Sequence, residues 1–416
     1  MASLSRAGSP IRVPAHRATT ASLQAAYPFL NGPGLGSRGS YIGQNCYGGA
    51  FCFDPFELYA AGVLTNPNLL VVGAVGSGKS SLVKTILWRA IAFGMTAWVA
   101  DPKGEYGDLA AGAEAPVVRL GPGQPARLNP LEQSNDLHEC LRLVLALGAT
   151  ALDRALTPLE HAAVALALDA VRRRQTPLLR DLVEALLSPG TQAAESLRMS
   201  EPELREASRD IALVIRRMCH GDLAGIFDGP TTVTLDEAAP LVVLDLSEVY
   251  QRNREALPLV MCAATAWLQT AIARHSGRRY VVVDEAWALL NQPATARWLQ
   301  QSYKLARAHG VANIAVLHRS SDLTAAGAAG SETVALARGL LTDVGTRVVY
   351  SQPANEVSGA REALGLSQTE ADLLPHFPQG TALWKVGTRS FLVEHRRSDI
   401  EIAMTDTDAR MIGAGP

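Results

Sequence analysis

Lysine is scarce in this chain of 416 residues, which holds five lysines and 33 arginines and carries a formal net charge of −2. This near-neutral balance excludes a global basic field that would favour nucleic acid, although it leaves room for a local basic patch. The hydrophobic content of 48% and the charged content of 19% are those of a globular protein rather than a disordered one. Because lysines are so few, a lysine inside a glycine-rich phosphate-binding pattern arises by chance only about a few times in a thousand.

Cysteine pairs and targeting segments are also lacking. The five cysteines include no Cys-x-x-Cys pair and no neighbouring histidine at zinc spacing, so we predict small buried apolar residues in a reducing compartment. Residues 1–20 contain no apolar core of a signal peptide. The longest apolar stretch, Leu257–Ala273, contains Pro258, Thr265 and Gln269, which favours a buried core helix over a membrane span.

A phosphate-binding pattern stands between an apolar run and a helical one. Gly73–Ser80 matches the Walker A template Gly-x-x-x-x-Gly-Lys-Ser/Thr. It follows Leu69–Val72, which predicts a buried strand, and precedes a helical pattern over Ser81–Ile91. Glycines let backbone N–H groups approach phosphate oxygens, and the helix directs its positive end at the same anion. The predicted nucleotide-binding residues in this segment are Gly73, Gly76, Ser77, Gly78, Lys79, Ser80 and Ser81.

An acidic pattern further along the chain complements the first. Arg279–Val283 predicts an apolar strand, and Asp284 and Glu285 follow it in the Walker B arrangement. We expect Asp284 to hold Mg²⁺ through water beside the Ser80 hydroxyl, and Glu285 to polarise the attacking water as general base. Lys79 would reach the β- and γ-phosphates of ATP. The two acids could instead cap the next helix, but the Walker A match makes this the weaker alternative.

A charged segment, Asp101–Tyr106, follows a neighbouring predicted strand, Thr96–Ala100. It lies at the carboxyl edge of the predicted sheet, where α/β proteins bind ligands, so Lys103 and Glu105 are predicted nucleotide contacts. A solvated turn is the alternative. The segment also fits the Asp-x-x-Gly of a GTPase switch, but the sequence has no Asn-Lys-x-Asp for guanine recognition. The Leu-Ser-Gly-Gly signature of transporter ATPases is absent too.

Two further polar residues have candidate roles in hydrolysis. His318 ends the predicted strand Ile314–Leu317, where it either senses the γ-phosphate or is an ordinary polar residue at a strand end. Arg307 lies on the preceding helical pattern and is either an arginine finger for a neighbouring subunit or a solvated helical arginine. Arg319 and Arg347 are rival candidates for the finger.

Short apolar strands alternate with helical patterns, which predicts an α/β fold with a mainly parallel sheet covered on both faces. Strand signals are absent from about 132 to 225, where helical patterns predict an all-helical insertion. Thr381–Val386 and Phe391–Glu394 predict a final hairpin. The predicted organisation is a flexible tail at 1–26, a short N-terminal β segment packing on the core at 27–66, the ATPase core at 67–131 and 236–400, the insertion at 132–235 and a C-terminal tail at 401–416.

Five motifs occur in an order that resembles that of the conjugative-transfer ATPases of type IV secretion, within the HerA/FtsK superfamily. They are the Walker A segment, Asp101–Tyr106, Asn129–Leu131, Phe227–Pro230 and Asp284–Trp287. The resemblance covers roughly residues 40–400. The glycine-rich opening, Gly36–Gly39, suggests the version carried on actinobacterial conjugative elements.

The resemblance implies a RecA-like P-loop NTPase motor that uses ATP and Mg²⁺ and works as a ring, usually a hexamer. It implies that ATP hydrolysis energises substrate transfer or pilus assembly in type IV secretion or conjugation. The implied partners are further copies of the chain, a membrane-embedded secretion or conjugation channel and a coupling protein. The implied location is cytoplasmic and peripheral to the inner face of the cell membrane, with no integral membrane span.

Two features depart from the family pattern. The family commonly has Gln where His318 stands, and the chain begins close to the motor, which predicts a shortened form or a fragment lacking an amino-terminal domain. The alternative function is a DNA-translocating ATPase that acts directly on DNA, in the manner of coupling proteins or of FtsK and HerA. It needs a basic pore lining, for which Arg172–Arg174 is the best candidate, although a charge run is usually a solvated helix face. A nucleotide-binding scaffold without turnover is disfavoured by Glu285.

Overall fold

The computed structural model describes residues 34–132, 136–233, 239–273, 277–323 and 332–406. The tail predicted at 1–26, the first residues of the predicted β segment and residues 407–416 of the predicted C-terminal tail lie outside this part of the chain. The described residues form one mixed sheet with helices against both of its faces.

The sheet contains eleven strands in the described ranges. They are β1 (Ser40–Asn45), β2 (Ala50–Phe53), β3 (Leu69–Val72), β4 (Thr96–Asp101), β5 (Val117–Arg119), β6 (Leu241–Asp245), β7 (Arg279–Val283), β8 (Val311–Leu317), β9 (Thr346–Val349), β10 (Thr381–Val386) and β11 (Arg389–His395). Their order across the sheet is β2-β1-β11-β10-β9-β3-β8-β7-β4-β6-β5. The strands from β9 to β5 in this order run parallel, whereas β10, β11, β1 and β2 extend the sheet in antiparallel fashion.

Helices connect and cover these strands. The α-helices are α1 (Pro55–Ala60), α2 (Lys79–Ala92), α3 (Gly107–Gly112), α4 (Leu137–Leu152), α5 (Pro158–Val171), α6 (Leu179–Leu187), α7 (Thr191–Ser196), α8 (Glu201–His220), α9 (Ser247–Arg252), α10 (Leu257–Ala273), α11 (Trp287–Leu290), α12 (Pro293–Leu305), α13 (Glu332–Thr342), α14 (Val357–Leu364), α15 (Gln368–Leu373) and α16 (Asp399–Thr405). Short 3₁₀ turns occupy Arg254–Ala256, Ala306–His309, Ser320–Leu323, Ala354–Glu356 and Leu374–His376.

The parallel strands are apolar because both of their faces are covered. In β3, Leu70 and Val72 point into one core, and Leu69 and Val71 point into the other. All four side chains are 0% exposed. The prediction of an α/β fold with a mainly parallel, doubly covered sheet is confirmed.

A helical bundle lies between β5 and β6. Helices α4, α5, α6 and α8 pack against one another, and α4 also packs against α10 and α12 of the sheet-bearing part. Thr157 and Ser200 begin α5 and α8 with capping boxes, in which Glu160 and Glu203 bond back to the cap backbone. This is the position of the predicted helical insertion, of which residues 133–135 and 234–235 are not described.

The antiparallel edge joins the beginning and end of the described chain. Strand β1 pairs with β11 so closely that a Cβ on Gly43 would lie 2.0 Å from the Glu394 carbonyl oxygen. The rings of Phe51 and Trp384 lie 5.1 Å apart and fix the β2 hairpin on β10. The prediction that the cysteines are buried holds for Cys140, Cys219 and Cys262, whereas Cys52 is partly exposed and Cys46 is exposed in the turn between β1 and β2.

The last described residues correct the predicted C-terminal tail. Residues 401–405 belong to α16, which packs on α2 and α3. Ser398 caps this helix, and Glu401 forms an ion pair with Arg89 of α2 at 2.6 Å. The prediction missed a helix of seven residues because its stability depends on this distant partner rather than on its own length.

Helix α10 has the burial of a core helix. The stretch Arg254–Ile272 is the one helix in the described residues that is long and apolar enough to cross a membrane, with a mean hydropathy of 1.3 over its most apolar window. However, 78% of that window is buried inside the protein. Side chains such as Val260 and Leu268 are 0% exposed.

His395 gives the fold a dependence on pH. Burial lowers its pKa to about 3, with Arg397 and Arg89 adding to the effect and Glu401 opposing it. An unfolded histidine titrates near 6.5, so the unfolded chain binds more protons between that pH and about 3, and stability falls as the pH falls. Because of His395, we expect the free energy of unfolding to fall by about 1 kcal/mol for each pH unit below about pH 6.

Denaturant unfolding at pH 7 and pH 5 measures this contribution. The His395→Gln variant should lose less stability between the two values than the unmodified protein. The matched control is His161→Gln, which replaces an exposed histidine on α5 and should keep the full loss. Equal losses in His395→Gln and the unmodified protein would contradict a buried neutral ring.

Candidate functional site

The predicted phosphate-binding segment forms a loop between β3 and α2. Gly76 and Gly78 have φ angles of +76° and +108°, which glycine adopts without strain. A Cβ on Gly73 would lie 2.4 Å from the Cβ of Tyr350, so no larger residue fits there. No side chain caps the N-terminus of α2 at Gly78, so its first N–H groups are left to bind an anion.

Lys79 spans the mouth of this loop. Its Nζ donates hydrogen bonds to the carbonyl oxygens of Gly73 at 2.6 Å and Ala74 at 2.8 Å. Burial lowers the pKa of Lys79 to about 8, and the negative charge of Asp284 opposes this shift. The side chain is therefore held where a phosphate between the loop and Asp284 would meet a concentrated positive charge.

The three serines of the loop differ in what they contact. Ser77 is buried, and its hydroxyl has no hydrogen-bond partner among the described residues. Ser80 is partly exposed in the first turn of α2, beside Lys79. Ser81 donates instead to the carbonyl oxygen of Thr405 at 3.1 Å, which ties α2 to α16. The structure therefore leaves the Ser77 and Ser80 hydroxyls, and not that of Ser81, for a ligand.

Asp284 lies at the end of β7 and is 3% exposed. Burial raises its pKa to about 7, and the neighbouring carboxylates of Glu285 and Asp101 raise it further. Its Oδ1 accepts the backbone N–H of Glu285 at 2.9 Å. A metal cation or an ammonium group beside Asp284 would stabilise the charged form of this buried carboxylate.

The donor set fits Mg²⁺ bound together with phosphate. In the described ranges no cluster of three or more His, Cys, Asp or Glu side chains could hold a metal by protein ligands alone. Mg²⁺ keeps several waters and takes one or two protein groups plus substrate phosphates. Asp284 and the Ser80 hydroxyl are such groups.

Glu285 contacts three side chains of the site. Its Oε1 lies 2.6 Å from Lys103 Nζ and 2.6 Å from His318 Nε2, and its Oε2 accepts the indole N–H of Trp287. Burial raises the pKa of Glu285, but the contacts with His318, Lys103 and Trp287 outweigh it and lower the pKa to about 2. Its φ of +54° is in the left-handed region, which is rare outside glycine.

The segment Asp101–Tyr106 is an ordered loop whose two end residues are buried and whose middle is partly exposed. The buried Asp101 carboxylate accepts the backbone N–H groups of Lys103 at 3.2 Å, Gly104 at 2.9 Å and Tyr106 at 2.9 Å. Burial raises the pKa of Asp101 to about 6. One oxygen of Glu105, Oε2, is buried with no hydrogen-bond partner among the described residues.

His318 ends β8, the strand between β3 and β7. Its Nε2 lies 2.6 Å from Glu285 and 3.1 Å from Lys103 Nζ. The structure therefore brings His318 into the predicted site, where its role as a γ-phosphate sensor stays a prediction.

The candidate fingers lie in different places. Arg307 precedes β8 and contacts the carbonyl oxygen of Thr65, which precedes β3. It therefore lies at the amino ends of the parallel strands, whereas the phosphate loop lies at their carboxyl ends. Arg347 donates to the carbonyl oxygens of Leu364 at 3.2 Å and Leu341 at 3.0 Å, and is committed to the ends of two helices. Arg319 follows His318 and is exposed. Within the chain, Arg307 is not brought to the site, and its role in a neighbouring subunit stays a prediction.

Sequence reasoning missed Lys84 and Gly380. Lys84 of α2 is 1% exposed, and its Nζ lies 5.4 Å from the centre of the Tyr106 ring. Burial lowers its pKa, and Glu105 and Asp101 oppose the shift. The sequence did contain an indication of Lys84, because a charged residue stands there among the apolar positions of α2. Gly380 donates its N–H to the Ser77 carbonyl oxygen at 3.0 Å, so β10 braces the loop, and no local pattern indicates this contact.

A glycine-rich loop between a central strand and a helix, with an acidic pair two strands away, defines a P-loop NTPase with a RecA-like sheet. Residues 63–263 match the family described as helicase HerA, central domain. The chain is 25% identical over 400 residues to the type IV secretion system protein PtlC of Bordetella pertussis, and this alignment covers 91% of the chain and 45% of PtlC. It is 24% identical over 272 residues to protein TraC of Escherichia coli, and that alignment covers 62% of the chain and 30% of TraC. The chain thus spans less than half the length of these curated relatives.

Solved structures share the fold. VirB4 of Thermoanaerobacter pseudethanolicus superposes with a TM-score of 0.75 and 21% identity, over 89% of this chain and all of that one. The bacterial conjugative coupling protein TrwB, in a form described as deltaN70, gives a TM-score of 0.60 at 16% identity, over 80% of this chain and 85% of that one. The sequence matches confirm the predicted resemblance to the type IV secretion and conjugation ATPases of the HerA/FtsK superfamily, and the solved structures show that the fold is shared.

Proposed function

We propose that this chain is an ATP-hydrolysing motor that energises type IV secretion or conjugative transfer. The observation that carries the proposal is the convergence of Lys79, Asp284 and Glu285 at the carboxyl ends of β3 and β7. A nucleotide-binding scaffold needs the first two of these residues but has no use for Glu285. Homology to PtlC and TraC supports the assignment to secretion or conjugation.

We assign a task in hydrolysis to each group of the site. The loop N–H groups and the Lys79 ammonium would bind the phosphates, with Lys103 and Glu105 facing them from the neighbouring loop. The Ser80 hydroxyl and Asp284, through water, would hold Mg²⁺, which neutralises charge on the phosphate oxygens when bound. Glu285 would orient and polarise the attacking water. TrwB, which shares the fold, has been solved with ADP and Mg²⁺ and with ATP and GTP analogues, which supports this ligand set.

The homology also supports a proposal about the surroundings of the motor. We expect a ring of copies, usually six, attached to the inner face of the cell membrane, with a membrane-embedded channel and a coupling protein as partners. In a ring, an arginine of one subunit completes the site of the next. Arg319 and Arg307 are exposed and remain candidates for that finger, whereas Arg347 is partly buried against helix ends.

Direct action on DNA is the less supported alternative. The arginine run in the insertion is largely offset by its own carboxylates: Arg173 pairs with Asp169 at 2.6 Å, and Arg174 pairs with Asp181. Arg173 and Arg174 lie in the turn after α5, and their partners lie on α5 and α6, so the two pairs reduce the net positive charge offered to a phosphate backbone.

The first prediction concerns phosphate binding. Lys79→Ala should reduce ATP turnover at least about 100-fold, because it removes the ammonium group aimed at the transferred phosphate. Phosphate release measures turnover, and a fluorescent ATP analogue measures binding. Lys304→Ala, which replaces an exposed lysine on α12, is the matched control and should turn over normally. Turnover surviving in Lys79→Ala would remove this site from the reaction.

The second prediction separates binding from hydrolysis. Glu285→Gln should bind ATP but turn it over about 100-fold to 10,000-fold more slowly, because the amide cannot accept the proton of the attacking water. Binding and phosphate release are measured on the same preparation. Glu195→Gln, at an exposed position on α7, should match the unmodified protein. Normal turnover in Glu285→Gln would assign the general base to another residue.

The third prediction decides between secretion and DNA translocation. We expect the ATPase rate to change less than about twofold when duplex or single-stranded DNA is added, because Arg173 and Arg174 already pair with carboxylates. Rates are measured from about 50 to 200 mM salt. A large stimulation by DNA that falls steeply with salt would favour the translocase.

A further inference from the structure

The Glu285 carboxylate is closed to water in the arrangement described above. Both of its oxygens accept contacts from side chains, with Lys103 and His318 on Oε1 and Trp287 on Oε2. The side chain is only 2% exposed. A general base must lie within hydrogen-bond reach of the water whose proton it takes. Because the carboxylate has almost no exposed surface, a neighbouring side chain has to move before a water molecule can reach Glu285.

Glu285 is held in place by its neighbours rather than by its own preference. Its φ of +54° is disfavoured for a residue with a Cβ, and such backbone strain persists only where the surroundings impose it. Release of a contact therefore allows the carboxylate to move.

Lys103 is the contact best able to leave. His318 is fixed at the end of β8, and Trp287 begins α11. The Lys103 and His318 side chains are about equally exposed, at 26% and 25%, but Lys103 has a flexible four-carbon stem and Asp101 holds only its backbone. The ammonium group of Lys103 also lies within electrostatic range of Lys79, whose pKa it helps to lower. A phosphate bound by Lys79 is thus within the influence of Lys103 as well.

We propose that Lys103 exchanges between Glu285 and the terminal phosphate of ATP. The third phosphate draws the ammonium group away, and Glu285 is released to orient water only when that phosphate is present. ADP, which lacks it, leaves the Lys103–Glu285 contact intact. Lys103 is in this sense a positioning residue for Glu285. The inference rests on the proposed ATPase function and adds to it a coupling between ligand identity and the base.

The indole of Trp287 reports on this exchange, because its N–H donates to Glu285. With Mg²⁺ present, the slowly hydrolysed analogue ATPγS should change the tryptophan fluorescence, and ADP should not. The chain has six tryptophans, so the Trp287→Phe variant identifies the signal: the ATPγS-specific change should vanish in it. This readout does not depend on turnover.

Removal of the ammonium group tests the role of Lys103 directly. In Lys103→Met, ATPγS and ADP should give the same Trp287 fluorescence, and the ratio of their affinities should fall about tenfold or more, as expected for one charge-assisted hydrogen bond. Lys304→Met is the matched control and should keep both properties. Circular dichroism establishes that the variants are folded, and if Lys103→Met is not, the comparison of ATPγS with ADP in the unmodified protein decides.

Two results would overturn the inference. One is an equal Trp287 response to ATPγS and ADP in the unmodified protein, and the other is a folded Lys103→Met variant that keeps both the response and the affinity ratio. Failure of the unmodified protein to bind either nucleotide would contradict the proposed function itself, so the two failures are distinguishable.

Discussion

Charged groups at the carboxyl edge of the parallel sheet are largely shut off from water, and the rest of the structure depends on balancing them. The carboxylates are those of Asp101, Asp284 and Glu285, and the ammonium groups are those of Lys79, Lys84 and Lys103. An isolated buried charge is costly, so each member is tolerable only beside the others. The balance is a close one: the pKa of Asp284 rises to about 7 and that of Lys79 falls to about 8. A phosphate chain and a divalent cation would change it, which is why this cluster suits a nucleotide site.

The sheet supplies the alignment that this balance requires. Val72 of β3 lies opposite Leu317 of β8, and Val283 of β7 lies opposite Ala315 of β8 and Ala100 of β4. Four neighbouring parallel strands therefore end at nearly the same level. The phosphate loop, His318, the acidic pair and the Asp101 loop each follow one of them. A slip of one residue in any strand would move its terminal side chain to the other face, so the burial of both faces also fixes the site.

Local patterns in the sequence predicted the strands, the phosphate loop and the acidic pair, because each depends on residues close together along the chain. The contacts between them could not be predicted in this way. Lys84 reads as a charged residue on an amphipathic helix until Tyr106 and the carboxylates are placed around it. The helix Asp399–Thr405, of which residues 401–405 were predicted as part of a tail, is stabilised by the ion pair of Glu401 with the distant Arg89 of α2, which no local pattern indicates. Arg307, which was predicted on a helix, lies in the 3₁₀ turn after α12, and only the topology shows that it is at the ends of the strands opposite the phosphate loop.

The choice of lysine over arginine at the site has a physical reason. Arg89 donates two hydrogen bonds to the Glu401 carboxylate, at 2.6 Å and 2.7 Å, and this planar bidentate contact holds both side chains in one geometry. A lysine offers a compact charge on a flexible stem that can turn from one acceptor to another. Lys385, which pairs with the buried Glu370, shows that lysine also serves in fixed pairs. In a chain with so few lysines, however, three lie at the phosphate loop and its neighbours, where contacts have to be exchanged. An arginine at 103 would bind the Glu285 carboxylate more firmly and make its release harder.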